Sequence, residues 1–97
     1  MSAVYKYEIM DRTELRMPRG AKVLAVQVQN GAPRLWALVD PEQPEERRFF
    51  EVYGTGHPIP DIHSAVYVAT FQVDDGAFVF HLFERISGCQ GKSPYSF

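Results

Sequence analysis

The side chains best suited to chemistry are concentrated in one connection, residues 54–61. Its glycines permit positive φ angles and close backbone approach, so successive amides could form a nest that binds a phosphate or a carboxylate. The same stretch carries an imidazole and a carboxylate. The candidate binding loop comprises Gly54, Thr55, Gly56, His57, Pro58 and Asp61. The alternative is structural, because glycines and prolines also shape rigid connections between sheets.

The histidines suggest a second kind of chemistry, the coordination of a metal. His57, His63 and Asp61 lie close in sequence and could present two imidazoles and a carboxylate to zinc, with His81 as a distant fourth ligand. Their spacing matches no established metal motif, so we predict neither a metal nor another cofactor. His81 lies in an apolar stretch, residues 78–83, and is expected to be a neutral core histidine with one hydrogen bond.

No arrangement of nucleophile and base in the sequence indicates an enzyme. Ser64 and Ser87 lack a nucleophile elbow, and Cys89 falls in a tail rich in small and turn-forming residues. Neither the Walker pattern nor the dinucleotide-binding fingerprint is present. We therefore predict a protein without catalytic activity.

Length, charge and cysteine content restrict the class of protein. The 97 residues fit one domain, and their net charge of -2 provides no general basic field for nucleic acid. Surface solubility explains the basic residues near the N-terminus better than nucleic-acid binding does: Arg12, Arg16, Arg19 and Lys22. No apolar run approaches the roughly 18 to 20 residues that cross a bilayer, and no signal-peptide pattern begins the chain. The single cysteine suits a reducing compartment, so we predict a cytoplasmic protein.

Short runs with period-2 alternation predict an all-β fold. Strands are expected at residues 4–10, 13–17, 22–29, 34–39, 47–53, 65–73 and 77–86. Parallel sheets need long crossovers for which the chain has little room, so the predicted class is a small antiparallel β-sandwich or barrel of about seven strands. At most one short helical turn is expected, in residues 41–46. Residues 1–86 form the domain and residues 87–97 a C-terminal tail.

Turn-forming dipeptides predict how consecutive strands are joined. Asn30-Gly31 suits the positive φ angles of a type I′ hairpin turn, and Asp75-Gly76 gives a second hairpin signal. Asp11-Arg12 is expected to form a tight connection between the first two strands. The first strand is expected to be a half-buried edge strand and the last to be central in its sheet.

The strand over residues 34–39 is apolar on both sides. Leu35, Ala37 and Val39 alternate with Trp36 and Leu38, a pattern typical of a strand buried on both faces. We therefore expect Trp36 to be a core anchor.

Several segments together resemble a known family. They are residues 35–41, 49–60, 67–72 and 78–84, with the turn Met17-Pro18-Arg19-Gly20-Ala21. The chain resembles, through Glu84, a family of small uncharacterised proteins from tailed bacteriophages and prophages. The resemblance implies a viral origin and action in the cytoplasm of a bacterial host, and it assigns no activity to any residue.

The excess of aromatic residues without a catalytic arrangement favours a non-enzymatic binding module. Its partner is expected to be a host or phage macromolecule, for example a host-defence complex, bound through an exposed aromatic or mixed-charge sheet face. One alternative is a small-ligand or nucleotide-binding domain that uses the loop at residues 54–61. Another is a minor virion or assembly component. Unpaired sheet edges also favour a homodimer.

Overall fold

A computed structural model describes residues 1–86 and confirms the all-β class. The elements are β1 Ala3–Glu8, β2 Arg12–Pro18, β3 Lys22–Gln29, β4 Ala32–Val39, β5 Glu45–Gly54, η1 Ile62–Ser64, β6 Ala65–Val73 and β7 Phe78–Arg85. The strands form two antiparallel sheets, one of three strands in the order β1-β4-β3 and one of four in the order β2-β5-β7-β6. The tail predicted at residues 87–97 lies outside the described residues. Within residues 1–86, no helix is long and apolar enough to span a membrane.

Two of the predicted hairpins are present. β3 pairs with β4 through Asn30 (φ 54°) and Gly31 (φ 81°), the two positive φ angles that a type I′ turn requires. β6 pairs with β7 through a turn in which Asp74, Asp75 and Gly76 also have positive φ. β1 is an edge strand and β7 lies inside its sheet, as predicted.

The predicted hairpin between β1 and β2 is wrong, because the chain changes sheets between them. β1 pairs with β4, whereas β2 pairs with β5. Ile9 is buried and its amide donates to the Pro33 carbonyl (3.4 Å), whereas the Asp11 carbonyl accepts from the Val52 amide (2.9 Å). These bonds attach Ile9 and Asp11, two positions apart, to opposite sheets, so Asp11-Arg12 is part of a corner between the sheets.

The helical turn lies elsewhere than predicted. Residues 41–43 form a turn in which the Asp40 carboxylate accepts hydrogen bonds from the Glu42 amide (3.1 Å) and the Gln43 side chain (3.3 Å). β5 already begins at Glu45, so no residues remain there for a helix. The 3-10 turn is instead Ile62–Ser64, directly before β6.

The core lies between the sheets and receives side chains from five strands and the adjoining turns: Ile9, Leu15, Met17, Ala21, Leu35, Ala37, Val39, Phe50, Phe71 and Leu82. Partly buried Val23, Val26 and Val28 of β3 pack against this cluster. The largest fully buried side chains are Phe50, Met17, Leu35 and Leu82. Each stabilises the fold by about 1.5–3 kcal/mol relative to an exposed position.

Trp36 is not the predicted core anchor. Leu35, Ala37 and Val39 are 0–2% exposed and face the core, so the intervening residues of β4 point outward. Trp36 is half-buried, and Leu38 is 39% exposed. The prediction that both faces of this strand are buried is therefore wrong for the isolated chain.

The connection between β5 and β6 crosses the four-stranded sheet. Both strands are antiparallel to β7, so they are parallel to each other and the chain must return along the length of the sheet. Residues 55–64 make this return over the outer face. Glu51 and Arg85 on that face are each only 5% exposed, and Arg85 donates to the carbonyls of Pro60 (2.6 Å) and Asp61 (2.8 Å).

Candidate functional site

The predicted binding loop forms the start and middle of this crossover. Its first residues make a tight turn, in which the His57 amide donates to the Gly54 carbonyl (3.1 Å) and Gly56 has φ 86°. The Thr55 amide donates to the Val79 carbonyl (3.3 Å). Two amides of the proposed anion nest are therefore used within the fold. The His57 ring lies against Gly54, where an added Cβ would come within 3.0 Å of it.

The other end of the loop is fixed by Arg85. Asp61 has φ 51°, and its carbonyl accepts from Arg85 as well as from the Ser64 amide (2.9 Å) and hydroxyl (2.9 Å). No hydrogen bond within residues 1–86 joins Asp61 to the turn at residues 54–57, and His57, Pro58 and Asp61 are all exposed. The contacts favour the structural alternative, and ligand binding by this loop stays a prediction.

The histidines and acidic residues do not converge on a metal site. Within the described part of the chain, no group of three or more His, Cys, Asp or Glu side chains has an arrangement that could hold a metal ion. In His81 both ring nitrogens are occupied by threonine hydroxyls, Nε2 by Thr55 (2.7 Å) and Nδ1 by Thr70 (2.9 Å).

His81 lies on the outer face of the four-stranded sheet, so the prediction of a core histidine is wrong. It is part of a chain of hydrogen bonds that continues from Thr70 to the Tyr67 hydroxyl (2.7 Å). Residues three apart in a strand normally face opposite sides, but the register of β6 shifts between Tyr67 and Ala69. This bulge puts Tyr67 and Thr70 on one face, and sequence alternation alone does not reveal it.

A buried ionic cluster beneath the crossover was not predicted from the sequence. Arg85 donates to the Glu51 carboxylate (2.7 Å) and to the Tyr53 hydroxyl (3.1 Å), and Tyr53 donates to Glu51 (2.5 Å). Burial opposes the ionisation of Glu51, but the hydrogen bonds from Tyr53 and Arg85 outweigh it and lower the pKa of Glu51. Burial, followed by the hydrogen bond to Glu51, raises the pKa of Tyr53. The cluster anchors the crossover.

A second ion pair lines the space between β3 and β6. Arg48 binds both oxygens of Glu84 (2.6 and 2.8 Å) and donates to the Ala21 carbonyl (2.6 Å). It lines a depression of about 540 Å³ between the two strands. Because its donors are already paired with Glu84 and Ala21, the pair stabilises this side of the sandwich and presents no free cation to a ligand.

The outer face of the three-stranded sheet exposes apolar side chains next to charged ones. The strand register places three rows of outward residues across β1, β4 and β3, and we call these nine residues the Trp36 face. The rows are Val4, Leu38 and Lys22; Lys6, Trp36 and Ala25; and Glu8, Arg34 and Gln27. Trp36 is at the centre of this arrangement. Val4 is 55% exposed and Leu38 is 39% exposed, so two aliphatic side chains lie open beside the indole.

This face has the composition of a protein-binding surface. Exposed apolar groups that are adjacent to one another, with a polar border, mark interaction sites more often than scattered ones do. Tryptophan and arginine are enriched among the residues that dominate binding energy, and Arg34 lies next to Trp36 on β4.

Comparison with protein-family profiles gives a match over most of the chain. The profile of a family described as Domain of unknown function (DUF7352) matches residues 1–91. No curated protein and no solved structure matches the chain.

Proposed function

We propose that this chain, which belongs to the DUF7352 family, is a binding module that holds a protein partner on its Trp36 face. One observation carries the proposal: β4 is apolar on both sides, yet the fold buries only one of them. Leu35, at 0% exposed, meets the core, whereas Leu38 on the same strand is 39% exposed. A partner that covers the outer side would give β4 the second buried face that its sequence indicates.

The dimensions of the molecule support this role. Its Cα extents are 39 × 35 × 15 Å, so each sheet presents one broad face. A standard specific interface needs roughly 800 Å² on each partner, which a face of this breadth can supply. Trp36 would lie near the centre of the contact, where residues that dominate binding energy are usually found.

The opposite face is less suited to the same task. Residues 55–64 cross it, and its central polar side chains Glu51 and Arg85 already bind one another and the crossover. A partner there would contact the crossover loop rather than the sheet. The candidate binding loop at residues 54–61 thus remains an alternative site of smaller extent.

The sequence resemblance to tailed-phage proteins supports a host or phage protein as the partner and the bacterial cytoplasm as the place of action. A homodimer also remains a prediction. The edges of β3 and β6 each contain a register shift, next to Leu24 and Val68 respectively, and such bulges oppose edge-to-edge pairing with another copy.

Affinity capture followed by reconstitution tests the proposal. Tagged protein is incubated with bacterial lysate, captured proteins are identified, and binding is then measured with both components purified. Leu38→Glu and Trp36→Ser should weaken this binding at least about tenfold, since each removes apolar contact from the centre of the face. Ile62→Glu is the matched control, because Ile62 is 47% exposed but lies in the crossover.

Two results would contradict the proposal. One is binding that both face variants retain at wild-type strength. The other is binding that Ile62→Glu reduces as strongly as Leu38→Glu does, which would place the contact on the crossover.

A further inference from the structure

We infer that the partner segment on the Trp36 face is acidic, with carboxylates on both sides of an apolar side chain that packs on Trp36 and Leu38. This inference rests on the proposed function and specifies the chemistry of the partner.

The charges of the face carry the inference. It contains the cations Lys6, Lys22 and Arg34 but only one anion, Glu8. Glu8 is paired with Arg34, at 3.6 Å between carboxylate and guanidinium. The Lys6 ammonium donates to the neutral amide of Gln29 (3.0 Å), and within residues 1–86 no carboxylate lies within salt-bridge distance of Lys6 or Lys22. The face therefore carries two uncompensated positive charges, although the whole chain has a net charge of -2.

The positions of the two lysines define the pattern that they recognise. Lys6 is on β1 beside Trp36 and Lys22 is on β3 beside Leu38, but the hydrogen bond from the Lys6 ammonium to Gln29 on β3 spans β4. Gln29 is opposite Ala32 and Lys22 is opposite Leu38, so the two ammonium groups are separated along β4 rather than across it. An apolar side chain fits over Trp36 and Leu38, with a carboxylate toward each ammonium group.

Two other occupants are less compatible with these charges. A second copy of the face would bring the same positive charge against it, and like charges across an interface oppose association. An anionic membrane matches the charge, but a flat sheet face has no protruding apolar element to enter the headgroup region. An acidic protein segment matches both the charge and the flat shape.

The only tryptophan of the chain is Trp36, so its fluorescence reports directly on occupancy of the face. The probe is a tryptophan-free peptide in which two glutamates precede and two follow a Leu-Phe-Leu centre. Matched peptides carry glutamine or lysine in place of glutamate. All three are titrated into the full chain at low and at high salt.

The glutamate peptide should shift the Trp36 emission to shorter wavelength in a saturable manner. It should bind at least about tenfold more tightly than the glutamine peptide, and the lysine peptide should not bind. High salt should remove most of this difference, because exposed charges are screened within about 8–10 Å at physiological ionic strength and closer at higher salt. Lys6→Glu and Lys22→Glu should each weaken the glutamate peptide about three- to tenfold. Arg12→Glu, on the other sheet, should have no effect.

The outcomes separate this inference from the proposed function. Equal affinity for the glutamate and glutamine peptides, with loss of both in Leu38→Glu, would overturn the acidic partner and leave the binding face intact. A Trp36 response to phosphatidylglycerol vesicles without any response to the peptides would overturn it in favour of a membrane. No peptide response would also overturn it. The proposed function itself would fail in a different way, if the face variants bound the reconstituted partner with the same affinity as the wild type.

Discussion

Among single residues, Arg85 has the largest set of contacts with the crossover. Its guanidinium reaches Glu51, Tyr53, Ser64 and the carbonyls of Pro60 and Asp61, so one side chain joins two strands of the sheet to the loop that crosses it. The side chain is 4% exposed, which places the pair with Glu51 among buried ion pairs. Such pairs are costly to break because the remaining charge stays desolvated.

Arg85→Met should therefore lower the free energy of unfolding by about 3–5 kcal/mol, because Glu51 loses its counter-charge and the crossover loses its anchor. Urea denaturation followed by Trp36 fluorescence measures the change. Arg16→Met on the same sheet is the control and should alter stability by no more than about 0.5 kcal/mol, since Arg16 is exposed and lies opposite Arg47 rather than Glu51. A loss below 1 kcal/mol for Arg85→Met would show that the cluster does not hold the loop.

The same cluster predicts a dependence of stability on pH. The pKa of Glu51 is lowered in the folded protein, so this carboxylate contributes stability above its ordinary pKa of 4.5 and loses it as the pH falls through the folded value. Unfolding free energies of the wild type and of Glu51→Gln should therefore converge as the pH falls below about 4.5. A difference that stays constant from neutral to acid pH would contradict the prediction.

At the scale of elements, β4 allows a comparison within one strand. Leu35 and Leu38 have the same side chain, but Leu35 is 0% exposed and Leu38 is 39% exposed. Leu35→Ala should cost about 2–5 kcal/mol of stability through lost burial and the cavity left behind. Leu38→Ala should cost less than about 1 kcal/mol in the free protein. Denaturant unfolding of both variants measures this, and similar losses would mean that the outer side of β4 is covered in solution.

The β3–β4 hairpin depends on its turn. Gly31 has φ 81°, and an added Cβ would meet no other atom within 4 Å, so any penalty there comes from the backbone conformation rather than from crowding. Gly31→Val should lower stability by about 1–2 kcal/mol, whereas Gly31→Asn should lower it less because asparagine tolerates positive φ. Thermal unfolding compares the two, and equal losses would argue against backbone strain as the cause.

At the scale of the whole molecule, the outer faces of the two sheets differ in whether a segment of the chain covers them. The four-stranded sheet has the core on one side and the crossover on the other, whereas the three-stranded sheet has the core on one side and an open, apolar and cationic surface on the other. The binding that we propose at the open face would therefore require no rearrangement of the crossover.

Quenching of Trp36 fluorescence tests this description in the free protein. Iodide should quench more efficiently than caesium, because Lys6 and Arg34 beside the indole attract anions and repel cations. A free tryptophan derivative supplies the reference for both quenchers. Equal quenching, or shielding from both ions, would mean that the face is occupied or is not cationic.

The sequence by itself determined the elements. Alternation located the seven strands within a few residues, and Asn30-Gly31 and Asp75-Gly76 identified two hairpins, because these signals depend on neighbours along the chain. It also indicated correctly that both sides of β4 are apolar.

Only the tertiary structure decided which of those sides is covered, and by what. Alternation separates Leu35 from Trp36 but does not say which one meets the other sheet, so it does not distinguish a core position for Trp36 or His81 from an outward one. The same limit explains the β1–β2 corner and the Arg85 cluster, since both depend on the change of sheet and on the crossover at residues 55–64. These features arise from contacts between residues far apart in sequence, and a local pattern does not contain the order in which strands assemble.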